Sequence, residues 1–237
     1  MERYFVRNEN GNLILKDEQV HQIVKVMRNK IGDQITLIHD GYFSLCKITS
    51  LNPFQFEIIN TEESKTELNR DITLLYCLPK GDKLEFAIQK ATELGVKRMV
   101  LVNSSRTIMK IKKEDEKKKL ERYSRIALEA SEQCGRGYVP EIVGVIPFSK
   151  ISEYKSSLSL IAYENERSMS ISSDLLKNHD SVSIVIGAEG GFSLEEVDYA
   201  NKNGYISTCL GNRILRSETA VVYALSLLSH YSEEQNG

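Results

Sequence analysis

Two glycine-rich segments near the end of the chain carry the residues best suited to chemistry. The first is SIVIGAEGGFSLEE, residues 183–196, and the second is CLGNRILRSETA, residues 209–220. In each, a strand-like apolar run ends at a glycine, a loop with charged residues follows, and a helix begins. Glycines let backbone N–H and C=O groups approach a ligand with no Cβ in the way. Carboxylates in such loops can take up a proton, and arginines can stabilise a developing anion.

These segments do not match the two common nucleotide motifs. Neither ends in the Gly-Lys-Ser/Thr of a phosphate-binding loop, and neither has the G-x-G-x-x-G spacing of a dinucleotide fingerprint. A single segment of this kind is most often an ordinary tight turn. Two of them on consecutive strands, both charged, favour a ligand site, because open α/β sheets bind ligands at the carboxyl ends of their strands. Ser193 and Glu196 have the spacing of a capping box and predict a helix start there.

The elements that must position these loops alternate between strands and helices. The predicted strands are 72–78, 99–102, 158–163, 182–186 and 205–210, and the predicted helices open after Lys80-Gly81-Asp82, near Lys113 and near Ser217. Gly95 and Gly135 are predicted to end the first two helices. This alternation predicts an α/β domain with a mostly parallel sheet over residues 70–237.

The first 69 residues predict a separate, strand-rich module. Val20, Ile23, Val24 and Met27 have one-sided helical spacing, with Asp17 as the expected N-cap. Three strands are expected at 35–39, 43–49 and 54–59, with a hairpin turn at Asp40-Gly41. The polar stretch 61–69 is expected to be a linker.

Composition limits the functional classes. The chain has 237 residues and a net charge of −2, yet residues 97–125 hold 11 basic and 4 acidic groups. This local basic excess is typical of a polyanion contact or of a solvated helix face, and charge alone does not separate the two. The four cysteines and four histidines are too scattered for a structural metal. We expect no metal, no membrane span and a cytoplasmic protein, because no signal-like or membrane-length apolar run is present.

At the two glycine segments the sequence resembles the SPOUT-class methyltransferases, and more narrowly the bacterial 16S ribosomal RNA (uracil-N3)-methyltransferases. The resemblance covers nearly the whole chain, and the family usually has proline where this chain has Ala188. Further matching segments are His21 with Val26-Met27-Arg28 and Gly32-Asp33, Lys80-Gly81-Asp82-Lys83, Gln89 to Gly95, and Glu132-Gln133-Cys134 with Arg136 and Pro140.

The resemblance implies a C-terminal SPOUT α/β domain with a trefoil knot, and a small N-terminal β-barrel-like domain of the PUA type that binds RNA. It implies S-adenosylmethionine as cofactor. The residues that it assigns to the cofactor site are Gly187, Glu189, Gly190, Leu210, Gly211, Ile214, Leu215 and Arg216. For Leu210, Ile214 or Leu215 taken alone, a place in an ordinary core is the more common role.

The implied reaction is methyl transfer to N3 of a specific uridine in 16S rRNA of the small ribosomal subunit. Candidates for catalysis are Arg136 and Arg216, which could stabilise a uracil oxyanion, and Glu189 and Glu218, which could take the proton. Glu218 has an alternative role as a helix-start charge favoured by the helix dipole. The sequence does not assign the base.

RNA contacts and a homodimer complete these expectations. The residues expected to contact phosphates are Arg7, Arg28, Lys80, Lys83 and Arg106. Two other functional classes stay open at this point. One is a non-catalytic RNA-binding protein, which is disfavoured because the charged loop residues are present; the other is a nucleotide-dependent oxidoreductase, which lacks its fingerprint.

Overall fold

The computed structural model describes residues 2–109 and 111–233, and these form two compact units. The N-terminal unit contains the chain up to Glu67 together with Leu128–Val139, and the C-terminal unit contains Leu68–Ala127 and the chain from Pro140 onward. The domain boundary predicted near residue 70 stays a prediction. The grouping of 128–139 with the N-terminal residues has no local signal in the sequence, because only tertiary contacts produce it.

The N-terminal unit is built on a four-stranded sheet in the order β1-β4-β5-β6, with a separate β2–β3 hairpin. The strands are β1 (Arg3–Phe5), β2 (Arg7–Glu9), β3 (Asn12–Ile14), β4 (Gln34–His39), β5 (Tyr42–Leu51) and β6 (Phe54–Glu63). Tyr4, Ile35, Leu37 and Ile48 lie in its buried core. Asp40 and Gly41 both have positive φ, at 49° and 82°, which confirms the predicted hairpin turn between β4 and β5.

The helical segment of this unit differs from the prediction. Helix α1 (Asp17–His21) has Lys16, not Asp17, as its N-cap, because the Gln19 side chain accepts the Lys16 N–H at 2.9 Å. The chain then widens into one π-helical turn, Gln22–Val26, in which the Met27 N–H donates to Gln22 C=O. The wider turn rotates the apolar stripe, so that Ile23 is buried while Met27 is 48% exposed.

The C-terminal unit is built on a six-stranded sheet in the order β12-β10-β11-β7-β8-β9, and every neighbouring pair is parallel. The strands are β7 (Asp71–Cys77), β8 (Arg98–Asn103), β9 (Glu141–Pro147), β10 (Leu158–Ala162), β11 (Ser181–Ile186) and β12 (Ile206–Thr208). The predicted α/β class with a parallel sheet is therefore confirmed. Edge strand β9 was not predicted, because Gly144 interrupts its apolar pattern.

Helices flank this sheet. They are α2 (Lys83–Glu93), α3 (Lys113–Cys134), α4 (Ser173–Leu176), α5 (Leu194–Lys202) and α6 (Ser217–Glu233), with a 3₁₀ segment at Phe148–Tyr154. Gly95 and Gly135 have φ of 83° and 79° just beyond the ends of α2 and α3, as predicted. None of the helices in residues 2–109 and 111–233 is both long and apolar enough to cross a membrane.

The strand order sets the place of the site. Strands β7, β8 and β9 follow one another toward one edge, and the chain then crosses to β10, β11 and β12 on the other side of β7. Strands β7 and β11 are neighbours at this reversal. Open α/β sheets bind ligands in the crevice at the carboxyl ends of strands beside such a reversal.

Candidate active site

A cavity of about 470 Å³ lies at the carboxyl ends of β10, β11 and β12. The loops that follow these three strands supply most of its wall, and Lys83 at the start of α2 joins them. Its volume is within the range of about 300–1,000 Å³ that is usual for small-molecule sites. The cavity lies entirely within the C-terminal unit.

The structure brings the predicted cofactor residues to this one cavity. Its lining includes all eight of them: Gly187, Glu189, Gly190, Leu210, Gly211, Ile214, Leu215 and Arg216. Whether they hold a cofactor stays a prediction. Glu164, Arg167 and Arg213 also line the cavity and were not expected. Glu164 and Arg167 follow β10, so the strand-end argument used for β11 and β12 would have found them.

The loop after β11 is closely packed, and its last glycine has a left-handed backbone conformation that favours glycine. A Cβ on Gly191, which has φ of +61°, would lie 2.9 Å from a Glu164 carboxylate oxygen. The Gly191 N–H donates to the Ala188 carbonyl at 3.0 Å, which closes the turn at the position where the family usually has proline. Gly211 is different: its φ is +95°, and a Cβ there would meet no atom within 4 Å.

Hydrogen bonds connect the loop after β11 and the start of α5 to the segment that follows β8. The predicted capping box at the start of α5 is confirmed: Ser193 Oγ accepts the Glu196 N–H at 3.2 Å, and Glu196 accepts the Ser193 N–H at 3.0 Å. Glu196 also accepts the Ser105 N–H at 2.6 Å. The Arg106 guanidinium donates to the Gly190 carbonyl at 2.9 Å. The segment after β8 is thus tied to the loop after β11.

One ammonium group connects two carboxylates beside the cavity. Lys83 Nζ lies 2.9 Å from Glu189 Oε1 and 3.3 Å from Glu218 Oε2. The Lys80 N–H also donates to Glu189 at 3.1 Å. Burial raises the pKa of Glu189, but the hydrogen bonds from Lys83 and the Lys80 amide outweigh it, so that the pKa lies below its ordinary value. Burial also raises the pKa of Glu218, but hydrogen bonds from its own backbone amide and from Lys83 outweigh it, so that this pKa too lies below its ordinary value. Both side chains are therefore carboxylates at neutral pH.

A buried tyrosine extends this cluster into the core. Tyr76 Oη donates to Ser217 Oγ at 3.1 Å, and Ser217 Oγ donates to Glu218 at 3.2 Å. Burial raises the pKa of Tyr76 well above its ordinary value, so its hydroxyl stays a hydrogen-bond donor. Nothing in the sequence pattern distinguishes Tyr76 from an ordinary strand residue.

Arg136 has its described contacts in the N-terminal unit. Its side chain is 5% exposed and forms an ion pair with Glu67 at 2.5 Å. Glu67 also accepts the Gly137 N–H at 3.0 Å. The cluster at the cavity consists of Lys83, Glu189 and Glu218 with Arg216 among the lining residues, and it does not include Arg136.

The residues expected to contact RNA fall into both units. Arg7 and Arg28 are exposed in the N-terminal unit, and Arg28 has a positive φ of 58°. Lys80 and Arg106 are exposed in the C-terminal unit, on segments that hydrogen-bond to the loop after β11. Lys83 is held by two carboxylates.

Part of the basic excess between residues 97 and 125 is neutralised by acids from other segments. Lys97 pairs with Asp71 at 2.6 Å, Arg98 with Glu141 at 2.6 Å, and Arg122 with Glu85 at 2.8 Å. Counting charge along the sequence overstated the local field for this reason. In the part of the chain that the structure describes, no group of three or more His, Cys, Asp or Glu residues could hold a metal ion.

Comparison with known proteins identifies the family. A family model for an RNA methyltransferase domain matches residues 66–229, and a model for an RNA methyltransferase PUA domain matches residues 15–59. A relative from Bacillus subtilis, ribosomal RNA small subunit methyltransferase E, is 35% identical over 100% of this chain and 99% of its own length. The chain belongs to this RNA methyltransferase family.

Solved structures of similar proteins extend the match to the fold. A methyltransferase from Legionella pneumophila, solved in complex with bound SAM, is 31% identical, with a TM-score of 0.86 and 96% of each chain covered. Ribosomal RNA small subunit methyltransferase E from Neisseria gonorrhoeae, bound to S-adenosyl methionine, is 29% identical, with a TM-score of 0.86 and 97% of each chain covered. The predicted SPOUT α/β domain with an N-terminal PUA-type domain is confirmed.

Proposed function

We propose that this methyltransferase uses S-adenosylmethionine to methylate N3 of a specific uridine in 16S rRNA of the small ribosomal subunit. The observation that carries the proposal is the cavity at the carboxyl ends of β10, β11 and β12, with Lys83, Glu189 and Glu218 beside it. The names of the full-length relatives support the ribosomal substrate, and the SAM-bound structures support the cofactor.

The residues around the cavity fit this cofactor. Leu210, Ile214 and Leu215 offer apolar contacts for an adenine ring, and the backbone of the glycine loops offers hydrogen bonds to its edge. Carboxylates at Glu164 and Glu189 suit a cationic amino group, and Arg167 and Arg213 suit a carboxylate. When bound, S-adenosylmethionine supplies a methyl group activated by its sulfonium sulfur.

The chain's own residues have three tasks in this reaction. They must align the uracil ring, offset the charge that develops on its oxygen and accept the N3 proton. Arg216, which lines the cavity, is the candidate for the oxygen, with Arg136 as a second candidate. Glu189, an ionised carboxylate in the cavity wall, is the candidate proton acceptor, and Glu218 contacts the same ammonium group.

RNA is expected to contact exposed basic residues of both units. In the N-terminal unit, Arg28 follows the exposed apolar residues Val26 and Met27, which are 61% and 48% exposed. Arginine suits phosphate, and an apolar surface suits an unstacked base. Arg7, Lys80 and Arg106 are further proposed contacts. RNA affinity should fall with salt by roughly one unit of log–log slope per phosphate contact.

We further propose a trefoil knot in the C-terminal unit, a homodimer formed through that unit, and a cytoplasmic location alongside the ribosome. An exposed aromatic side chain on the last helix supports the dimer: Tyr223 on α6 is 42% exposed. Light scattering should give twice the chain mass at micromolar concentration. A monomer with full activity would contradict the dimer.

Mass spectrometry of small-subunit rRNA tests the central proposal directly. We expect loss of one N3-methyluridine when the gene is deleted, and its recovery with the wild-type gene but not with a Gly211→Val variant. Purified protein should methylate 30S particles far faster than free uridine, because the proposed contacts extend beyond one nucleotide. Equal rates on both substrates, or an unchanged rRNA spectrum after deletion, would contradict the proposal.

A further inference from the structure

Lys83 occupies a connecting position among the residues of the cavity. It is the first residue of α2, and its single ammonium group contacts one carboxylate from each glycine segment. Glu189 belongs to the loop after β11, and Glu218 to the first turn of α6, which follows the loop after β12. The Lys83 ammonium group is therefore the counter-ion of one carboxylate from each glycine segment.

Electrostatics makes this arrangement depend on the lysine. Glu189 and Glu218 are close enough to hydrogen-bond to the same nitrogen atom, at 2.9 and 3.3 Å. Without the ammonium group, two carboxylates would face each other across that gap, and like charges disfavour double ionisation. The loops would then separate, or one carboxylate would take up a proton.

We propose that Lys83 is a positioning residue: it ties Glu189 to Glu218 and thereby holds the two glycine loops in the conformation that accepts the cofactor. The proposal rests on the proposed function, since it assigns the cavity to S-adenosylmethionine. It replaces the sequence-based expectation that Lys83 contacts RNA phosphate. Lys83 with its two carboxylates has a net negative charge, and such a cluster does not attract a phosphate group.

Other charged or titratable groups lie near Lys83, Glu189 and Glu218 and also contribute to the pH dependence of the site. The charged residues of the cavity wall are Glu164 and Arg167 after β10, and Arg213 and Arg216 after β12. Tyr76 on β7 reaches Glu218 through Ser217, and the Lys80 amide contacts Glu189. Lys83 is the cation that contacts both Glu189 and Glu218 among the ion pairs of the described residues.

The test compares Lys83→Met and Lys83→Arg with Lys90→Met. Methionine keeps an unbranched apolar stem and removes the charge. Lys90 is a matched control, because it lies on the same helix and forms a similar ion pair with Glu93 at 2.8 Å. We expect Lys83→Met to weaken calorimetric binding of S-adenosylmethionine about tenfold, because the loop conformation that accepts the cofactor loses a charge-assisted hydrogen bond and becomes less populated. Lys83→Arg should restore most of that affinity, and Lys90→Met should leave it unchanged.

Two further measurements separate positioning from simple loss of structure. With Lys83→Met, the acid limb of cofactor affinity against pH should move to higher pH, because Glu189 loses the cation that favours its ionised form. RNA affinity should not change. If Lys83→Met instead weakened RNA binding and left cofactor affinity and its pH profile intact, Lys83 would be a phosphate contact and the proposal would be overturned.

A cofactor-free measurement keeps the result independent of the proposed function. Carbon NMR of the Glu189 carboxyl, assigned with Glu189→Gln, should titrate at higher pH in Lys83→Met than in wild type. Failure of wild type to bind S-adenosylmethionine would overturn the proposed function and, with it, the assignment of this loop conformation to that cofactor. An unchanged Glu189 titration alongside normal wild-type binding would overturn the role of Lys83 alone.

Discussion

Gly211 offers a quantitative test of whether the loop after β12 binds the cofactor in the conformation seen here. Its φ of +95° is unfavourable for residues with a side chain, yet a Cβ would meet no atom within 4 Å. Alanine at this position therefore adds backbone strain without a steric clash. An L-residue in left-handed space costs roughly 1–2 kcal/mol.

The strain predicts the size of the effect. In the free protein the exposed loop can relax, so the strain is imposed mainly when the ligand selects the observed conformation. We expect Gly211→Ala to weaken cofactor binding roughly five- to thirtyfold, which is the same 1–2 kcal/mol expressed as a ratio. Isothermal titration calorimetry with S-adenosylmethionine measures it. The β-branched Gly211→Val should abolish measurable binding, since it is less tolerant of positive φ.

Gly32 provides a matched control. Its φ is +97°, a Cβ there would also meet no atom within 4 Å, and it lies in the N-terminal unit. Gly32→Ala should lower the melting temperature by a few degrees and leave cofactor affinity unchanged. Unchanged affinity in Gly211→Ala would refute the reasoning for this loop, and an equal loss in Gly32→Ala would show that the effect is global.

Three further predictions concern stability and pH. Glu67→Ala should destabilise the protein by about 3 kcal/mol, because it removes the carboxylate partner of the buried Arg136. The control Glu57→Ala breaks an exposed ion pair with Lys47 and should cost under about 1 kcal/mol. Equal chemical-denaturation midpoints for the two variants would contradict this. Ser193→Ala should cost about 1 kcal/mol through loss of the α5 cap, while Ser193→Thr should retain most of it in the same assay; the idea fails if both behave alike. Hydrogen bonds from Ser168 and neighbouring amides lower the pKa of Glu166 to about 2. The turn at 166–169 should therefore persist as pH falls below the usual glutamate range and should open only toward pH 2. Amide NMR shifts that change near pH 4.5 would disprove this.

Local sequence signals predicted much of the secondary structure, because short-range rules govern it. The capping box at Ser193 and Glu196, the glycine ends of α2 and α3, and the hairpin at Asp40-Gly41 all involve residues close in sequence. The long helix predicted from about residue 113 is α3, Lys113–Cys134. The prediction that Asp17 is the N-cap of α1 was wrong, because the Lys16 N–H donates to the Gln19 side chain and α1 begins after Lys16.

The same sequence also determined which loops form the candidate site. Apolar runs that end in Gly187 and Gly211 mark strand ends, and parallel strands place their carboxyl ends at one edge of a sheet. The two glycine segments are therefore expected at the same edge from the sequence alone. Glu164 and Arg167 in the loop after β10 line the same cavity, although no glycine motif marks that loop in the sequence.

Tertiary structure alone decided how the charges are paired. Lys83 lies more than a hundred residues from Glu189 and from Glu218, yet one ammonium group binds both carboxylates. Lys97, Arg98 and Arg122 are likewise paired with acids from other segments, which reduces the basic excess counted along the chain. Periodicity and spacing in the sequence indicate which face of a helix or strand is buried. Which side chains meet across different elements depends on the strand order and on the path of the loops. Only the folded chain specifies that order and that path.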